Sequence, residues 1–119
     1  MKCTLVIPCY NEAKSLPDLI IKCSNLTKAD PFVDVLLVNN GSTDNTKDIL
    51  KKLSSKTNRI NYIDIKVNKG YGNGIIEGLK NASGEILSWT HADLQTDPND
   101  IIPCLKIFRK ESLPKKLLV

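Results

Sequence analysis

No stretch of this chain approaches the roughly 20 consecutive apolar residues that a helical membrane span requires. Its N-terminus also does not join a charged segment to an apolar core long enough for a signal peptide. A reducing cytoplasmic setting is therefore expected, and any membrane association would have to come through a surface or another chain segment. The four cysteines, Cys3, Cys9, Cys23 and Cys104, contain no C-x-x-C spacing, which removes the usual signature of a zinc ribbon or a dithiol redox centre. Buried, unpaired thiols are expected instead, with Cys9 alone in a loop. Glycine is missing from the first strand-to-helix turn, Pro8-Cys9-Tyr10-Asn11-Glu12, where a dinucleotide fingerprint would need it. The later Gly70-Tyr71-Gly72-Asn73-Gly74 does not continue into the Lys-Ser/Thr pair of a P-loop. Nicotinamide dehydrogenase and P-loop ATPase are poor readings on these grounds.

What is present is an ordinary globular composition, 41% hydrophobic and 25% charged over 119 residues, enough for one domain with one core. The formal net charge of +4 is mild and its lysines are spread, so they read as solvated helix faces and nucleic acid is not expected as a partner.

Strand and helix patterns alternate along the chain. Residues 3–7 form an apolar run that Pro8 is expected to end, and 9–14 a loop. Ser15 with Asp18 resembles a capping box, ahead of a helix whose buried stripe is Leu16, Leu19, Ile20, Cys23 and Leu26. Residues 33–38 read as a fully covered strand, followed by turn chemistry in Asn39-Asn40-Gly41-Ser42-Thr43-Asp44. Thr43 or Asp44 can cap a second helix reaching residue 55, with Ile49, Leu50 and Leu53 inside. A weaker strand over 60–67 leads to a glycine-rich loop at 68–74 and a short helix ending near Gly84. A fourth strand spans 86–90. Pro103 places the regular part of a last helix from Ile102, with Asp100 as its cap, and residues 116–119 look like an unfinished strand. The expected fold is α/β, a mostly parallel sheet with helices on both faces, in which ligands gather at the carboxyl ends of the strands.

All the polar motifs occupy such ends. Loops 8–12, 39–44 and 91–95 should converge, with 68–74 as a fourth wall. Within the third, Asp93 and Gln95 are oxygen ligands suited to a hard divalent cation. His91 stands where a second carboxylate would complete an Asp-x-Asp pair. An imidazole can ligate Mn²⁺ but suits Mg²⁺ poorly; its other reading is a hydrogen-bonding residue at a strand end.

Four segments carry a family resemblance. Val6-Ile7-Pro8-Cys9-Tyr10-Asn11-Glu12 resembles V-I-P-x-Y-N-E, and Val38-Asn39-Asn40-Gly41-Ser42-Thr43-Asp44 resembles V-D-D-G-S-x-D. Asn68-Lys69-Gly70-Tyr71-Gly72 is similar to N-x-G-x-G, and His91-Ala92-Asp93-Leu94-Gln95-Thr96-Asp97-Pro98 to D-A-D-L-Q-x-D-P. In this order they resemble the inverting, nucleotide-sugar-dependent glycosyltransferases of family 2, of GT-A fold, which include polyprenyl- and dolichyl-phosphate hexose synthases.

The resemblance implies that residues 1–119 are the donor-binding part of such an enzyme, moving a hexose from a UDP- or GDP-sugar to a lipid-phosphate or glycan acceptor in cell-envelope glycan synthesis. Pro8, Tyr10 and Glu12 would line base and ribose, and Asn40 would stand at the base-reading position. Ser42, Asn68, Gly70 and Ala92 would complete the nucleotide-sugar pocket. Asp93, Gln95 and His91 would hold Mn²⁺ or Mg²⁺ on the diphosphate. Asn40, unlike an aspartate, offers a donor as well as an acceptor.

The acceptor-binding half of the family is expected to lie outside these 119 residues, and no catalytic base is assigned. Asp44 and Asp97 are better read as helix caps. Completion by another chain, homo-oligomerisation and a peripheral position at the cytoplasmic face of the membrane accompany that expectation. Two further readings stand beside it: an inactive nucleotide-sugar-binding module that regulates a partner, and a nucleotidyltransferase of similar topology.

Overall fold

The computed structural model describes residues 2–54, 59–92 and 97–111, with side chains through residue 107. Four strands, β1 (Cys3–Cys9), β2 (Val33–Asn40), β3 (Ile60–Ile65) and β4 (Ile86–Trp89), form one parallel sheet in the order β3-β2-β1-β4. Helices α1 (Leu16–Ala29), α2 (Thr46–Ser54), α3 (Tyr71–Asn81) and α4 (Ile101–Glu111) alternate with them, the last preceded by a 3₁₀ turn, Pro98–Asp100. The chain order reverses between β1 and β4, so the crevice beyond their carboxyl ends is where such a sheet accepts a ligand.

Alternation along β1 and β2 divides the two faces. Cys3, Leu5, Ile7, Val33, Val35 and Leu37 join the α1 stripe, Leu50, Ile101 and Leu105 in one core. The opposite face carries Val6 and Val38 against α3, where Gly78 lets the helix approach. A Cβ there would collide with Val6 and come within 2.8 Å of a Val38 methyl.

Several boundaries differ from the sequence expectation for identifiable reasons. Pro8 does not end β1; it pairs with Val38 in register. The Val6 carbonyl accepts from Thr90 N–H on the β4 side, and Pro8, two residues on, faces the same way. β4 pairing stops at Trp89 opposite Val6, so the missing proline N–H falls where no ladder bond is due. Cys9 is accordingly buried strand, not loop. Asn39 and Asn40 also belong to a strand, and the turn begins at Gly41, whose φ of +67° and close approach to Asn68 both demand glycine. β3 closes at Ile65, short of the expected residue 67.

The expected capping box at Ser15 is not formed. Its hydroxyl turns back to the Glu12 carboxylate at 2.9 Å and the Glu12 carbonyl at 3.2 Å. Asp44 does cap, accepting from Thr46 N–H at 2.9 Å ahead of α2. Half of the glycine segment is the first turn of α3 and not loop: Gly70 (φ +106°) precedes it, and Gly72 and Gly74 lie inside. The last helix starts earlier than expected, at Ile101. Asp97 caps the preceding turn, accepting from Asn99 N–H at 2.9 Å, so Asp100 is not the cap. Pro103 then falls in the first turn of α4, where no carbonyl awaits its absent N–H. The expected end of the second helix at residue 55 and the strand at 116–119 lie outside the described residues.

Arg59, at φ +64°, reaches under the sheet edge to cap α1. Its guanidinium donates to the carbonyls of Thr27, Asp30 (3.2 Å) and Val33 (3.1 Å), placing positive charge at the carboxyl end of α1 and the start of β2.

Candidate nucleotide-sugar site

β1 and β2 end side by side, and the loops that leave them are tied together by one side chain. Asn11 sits at φ +53°, a conformation asparagine tolerates better than most residues. Its Oδ1 accepts from Thr43 N–H at 2.8 Å and Asp44 N–H at 3.3 Å, and its own N–H donates to the Ser42 hydroxyl at 3.0 Å. Glu12 N–H donates to Thr46 at 3.1 Å beside it. The latch holds Tyr10 and Glu12 at the mouth of the crevice.

That crevice is a cleft of about 240 Å³ lined by Pro8, Cys9, Tyr10, Glu12, Asn40, Tyr71, His91 and Ala92. It is somewhat smaller than the ~300–1,000 Å³ of whole small-molecule pockets. Of the residues singled out in the sequence, Pro8, Tyr10, Glu12, Asn40, His91 and Ala92 come together here.

Ser42, Asn68 and Gly70 do not line this cleft. Ser42 belongs to the Asn11 latch and to a second, shallower hollow with Asn39, Lys47 and Asp64. Asn68 Oδ1 accepts from Gly70 N–H at 2.7 Å and shapes the turn before α3. Gly70 acts through its carbonyl, which accepts from Asn40 Nδ2 at 3.2 Å. Asp93 and Gln95 lie outside the described residues.

Strand alternation separates the two asparagines. Asn39 Nδ2 donates to Asp64 at 2.9 Å, and Lys47 pairs with the same carboxylate at 3.6 Å. Asn40 faces α3, where Gly74 leaves room for its amide. Both residues are buried, and among the described residues neither Asn39 Oδ1 nor Asn40 Oδ1 has a hydrogen-bond partner. A buried acceptor left unmet is costly unless a ligand or water meets it.

Two residues at the cleft were not picked out as site residues from the sequence, Cys9 and Tyr71, with Trp89 behind them. The Tyr71 hydroxyl lies 2.7 Å from His91 Nδ1, the two rings are nearly parallel at 11°, and Trp89 meets both edge-on. The lone aromatic in the glycine segment was the available signal. Cys9 is not a nucleophile in this setting. Burial, then the Glu12 charge and Cys23, push its thiol far above the ordinary range. Burial, with Asp97, also pushes Cys23 up, to about 12.

The two acids that could have been proposed as bases are occupied. Burial raises Asp44, but hydrogen bonds from the Thr46 hydroxyl and N–H and from Ala13 N–H outweigh it and hold the carboxyl below its usual value. Hydrogen bonds from the Asn99 amide and N–H do the same for Asp97. Among the described residues no three His, Cys, Asp or Glu side chains gather as a metal site, and no helix is long and apolar enough to cross a membrane.

A parallel sheet of this order, with its cleft at the β1/β4 switch point, matches known glycosyltransferase folds. TarS from S. aureus aligns with a TM-score of 0.77 at 22% identity, over 94% of this chain and 20% of that one. A mannosyltransferase from Pyrobaculum calidifontis, solved with GDP-Man and Mn²⁺, aligns with a TM-score of 0.65 at 22% identity, over 85% and 30%. The class is therefore the GT-A glycosyltransferase fold, of which these residues form the N-terminal part.

The family model described as glycosyl transferase family 2 matches residues 4–113, and the chain belongs to that family. It is 36% identical over 106 residues to the undecaprenyl-phosphate 4-deoxy-4-formamido-L-arabinose transferase of Salmonella choleraesuis, covering 84% of this chain and 31% of the relative. The chain thus spans just under a third of the length of the curated relatives it matches.

Proposed function

We propose that this chain is the donor-binding part of a glycosyltransferase that takes a hexose from a UDP- or GDP-sugar and passes it to a lipid phosphate or a glycan. The observation that carries the donor assignment is Asn40. One of its N–H groups donates to the Gly70 carbonyl, and Oδ1 is left as a buried acceptor in need of a donor. Uracil and guanine present a ring N–H on their pairing edge; cytosine and adenine present a ring acceptor there. Tyr10, 47% exposed at the cleft mouth, supplies an aromatic face for base or ribose, and Pro8 and Glu12 border it.

Kinship with an undecaprenyl-phosphate transferase supports a lipid-phosphate acceptor, and such an acceptor would put the protein at the cytoplasmic face of a membrane. Residues 91 and 92 line the cleft, and Asp93 and Gln95, the next oxygen donors along the chain, have a carboxylate and an amide that suit Mg²⁺ or Mn²⁺. Bound there, the cation would neutralise the diphosphate as it leaves. The chain's own part is to hold the base at Asn40, set Tyr10 and Glu12 through the Asn11 latch, and keep the donor on the switch-point crevice.

Calorimetric titration of UDP, GDP, CDP and ADP, with Mn²⁺ or Mg²⁺ and with chelator, tests this. UDP or GDP should bind more tightly than CDP and ADP, and Asp93→Ala should remove the metal-dependent part. Failure of every nucleotide to bind under all these conditions sinks the proposal.

A further inference from the structure

His91 is the chain's only histidine, and two aromatic residues, Tyr71 and Trp89, hold its ring. Tyr71 stacks on it with centroids 5.7 Å apart, Trp89 stands edge-on at 5.5 Å, and the Tyr71 hydroxyl lies 2.7 Å from Nδ1. A ring fixed in this way presents Nε2 as its one free nitrogen, and the described residues place no partner on it. The hydroxyl decides what Nε2 carries. A phenol is a good donor and a neutral imidazole nitrogen a better acceptor than a phenol oxygen, which favours the tautomer in which Tyr71 donates to Nδ1 and the ring proton sits on Nε2.

We infer that Tyr71 is a positioning residue that holds His91 in its Nε2–H form, and that His91 donates this proton as a hydrogen bond to a diphosphate oxygen of the ligand. The inference rests on the nucleotide-sugar reading above for the identity of that ligand. His91 and Tyr71 line the same cleft as Asn40 and Tyr10, so one molecule can be held by its base at Asn40 and by its phosphates at His91. Metal ligation through Nε2 needs a lone pair there, and therefore the opposite tautomer. Where the family pattern has two acids, this chain has His91 and Asp93 in sequence, and the histidine can act as a hydrogen-bond donor. A donor at this position compensates diphosphate charge without the cation, so part of the diphosphate affinity should survive chelation.

The single imidazole makes the test direct. Long-range ¹H–¹⁵N spectra of the protein at alkaline pH, with chelator present, should show the Nε2–H pattern in wild type and a mixed pattern in Tyr71→Phe. Inorganic pyrophosphate should shift the His91 signals saturably, with an affinity about fivefold lower in Tyr71→Phe, the loss of one hydrogen bond's worth of alignment. His91→Gln, whose amide nitrogen can reach the Nε2 position, should retain more pyrophosphate affinity than His91→Asn.

A dominant Nδ1–H tautomer, or a pyrophosphate response equal in wild type and Tyr71→Phe, overturns the inference. The two proposals separate cleanly. Nucleosides that bind without any pyrophosphate response at His91 defeat this one alone, whereas a pyrophosphate response without nucleoside binding defeats the donor reading and leaves the Tyr71–His91 pair standing.

Discussion

Asn40 at the end of β2 and Gly70 before α3 are joined by a hydrogen bond of 3.2 Å from the asparagine amide to the glycine carbonyl, across a space that Gly74 keeps open. It fixes where α3 begins relative to the sheet, and so where Tyr71 meets the cleft. The family pattern has an aspartate at this position, and a carboxylate cannot make this bond.

Restoring the pattern should therefore destabilise the protein. Asn40→Asp sets two acceptors against each other in a buried place, and about 1–3 kcal/mol of stability should be lost at neutral pH. Urea unfolding of the two proteins measures it; equal midpoints would show that the Gly70 contact contributes nothing.

Gly78 offers a sharper packing test. Alanine would ordinarily favour the helix by about 1 kcal/mol, but here its methyl collides with Val6 and Val38. Overpacking of that kind costs about 1–3 kcal/mol, so Gly78→Ala should lower the thermal midpoint. The double variant with Val6→Ala should recover part of the loss relative to Val6→Ala alone. An increase in stability in the single variant would place α3 farther from the sheet than described.

Acid stability should depend on the two capping carboxylates. Asp44 and Asp97 are both held below the ordinary carboxylate value by hydrogen bonds that only the ionised form accepts fully. Their contribution is present above the unfolded pKa of about 3.9 and is lost as pH falls through the lower folded value. Asp44→Asn should therefore weaken the protein at pH 7 and flatten its acid limb, as read by denaturant midpoints from pH 7 down to about 2.5. An unchanged acid limb would count against Asp44 as the cap of α2.

The thiols should report burial in order. Cys3, Cys9 and Cys23 are buried and Cys104 is partly exposed. Cys9 and Cys23 are held protonated, because burial opposes the thiolate. A maleimide at neutral pH should label Cys104 first and the other three only on unfolding, which mass spectrometry of the labelled peptides resolves. Early labelling of Cys9 would mean that the cleft floor opens far more readily than its packing implies.

Much of this protein is set by local sequence. The α1 stripe, the apolar β1 and β2 runs and the polar residues gathered at strand ends are periodic signals, and they were legible because burial on one helix face or both sheet faces leaves a repeat in the sequence. The order of the polar motifs likewise placed Pro8, Tyr10, Glu12, Asn40, His91 and Ala92 at one end of a parallel sheet.

Tertiary structure decided the remainder. Whether Pro8 could stay in β1 depended on where β4 stops pairing, a fact of the neighbouring strand. Whether the glycine segment continued as loop or turned into helix depended on Asn40 and the sheet surface, where α3 lies close at Gly74 and Gly78 because side chains are absent there. The separate roles of Asn39 and Asn40 came from the alternation of a strand that sequence had read as a turn. The Tyr71–His91 contact joins residues 20 apart in sequence, from a helix start and a strand end. No periodicity encodes such a pair, because only the packing of α3 across β1 brings the two rings together.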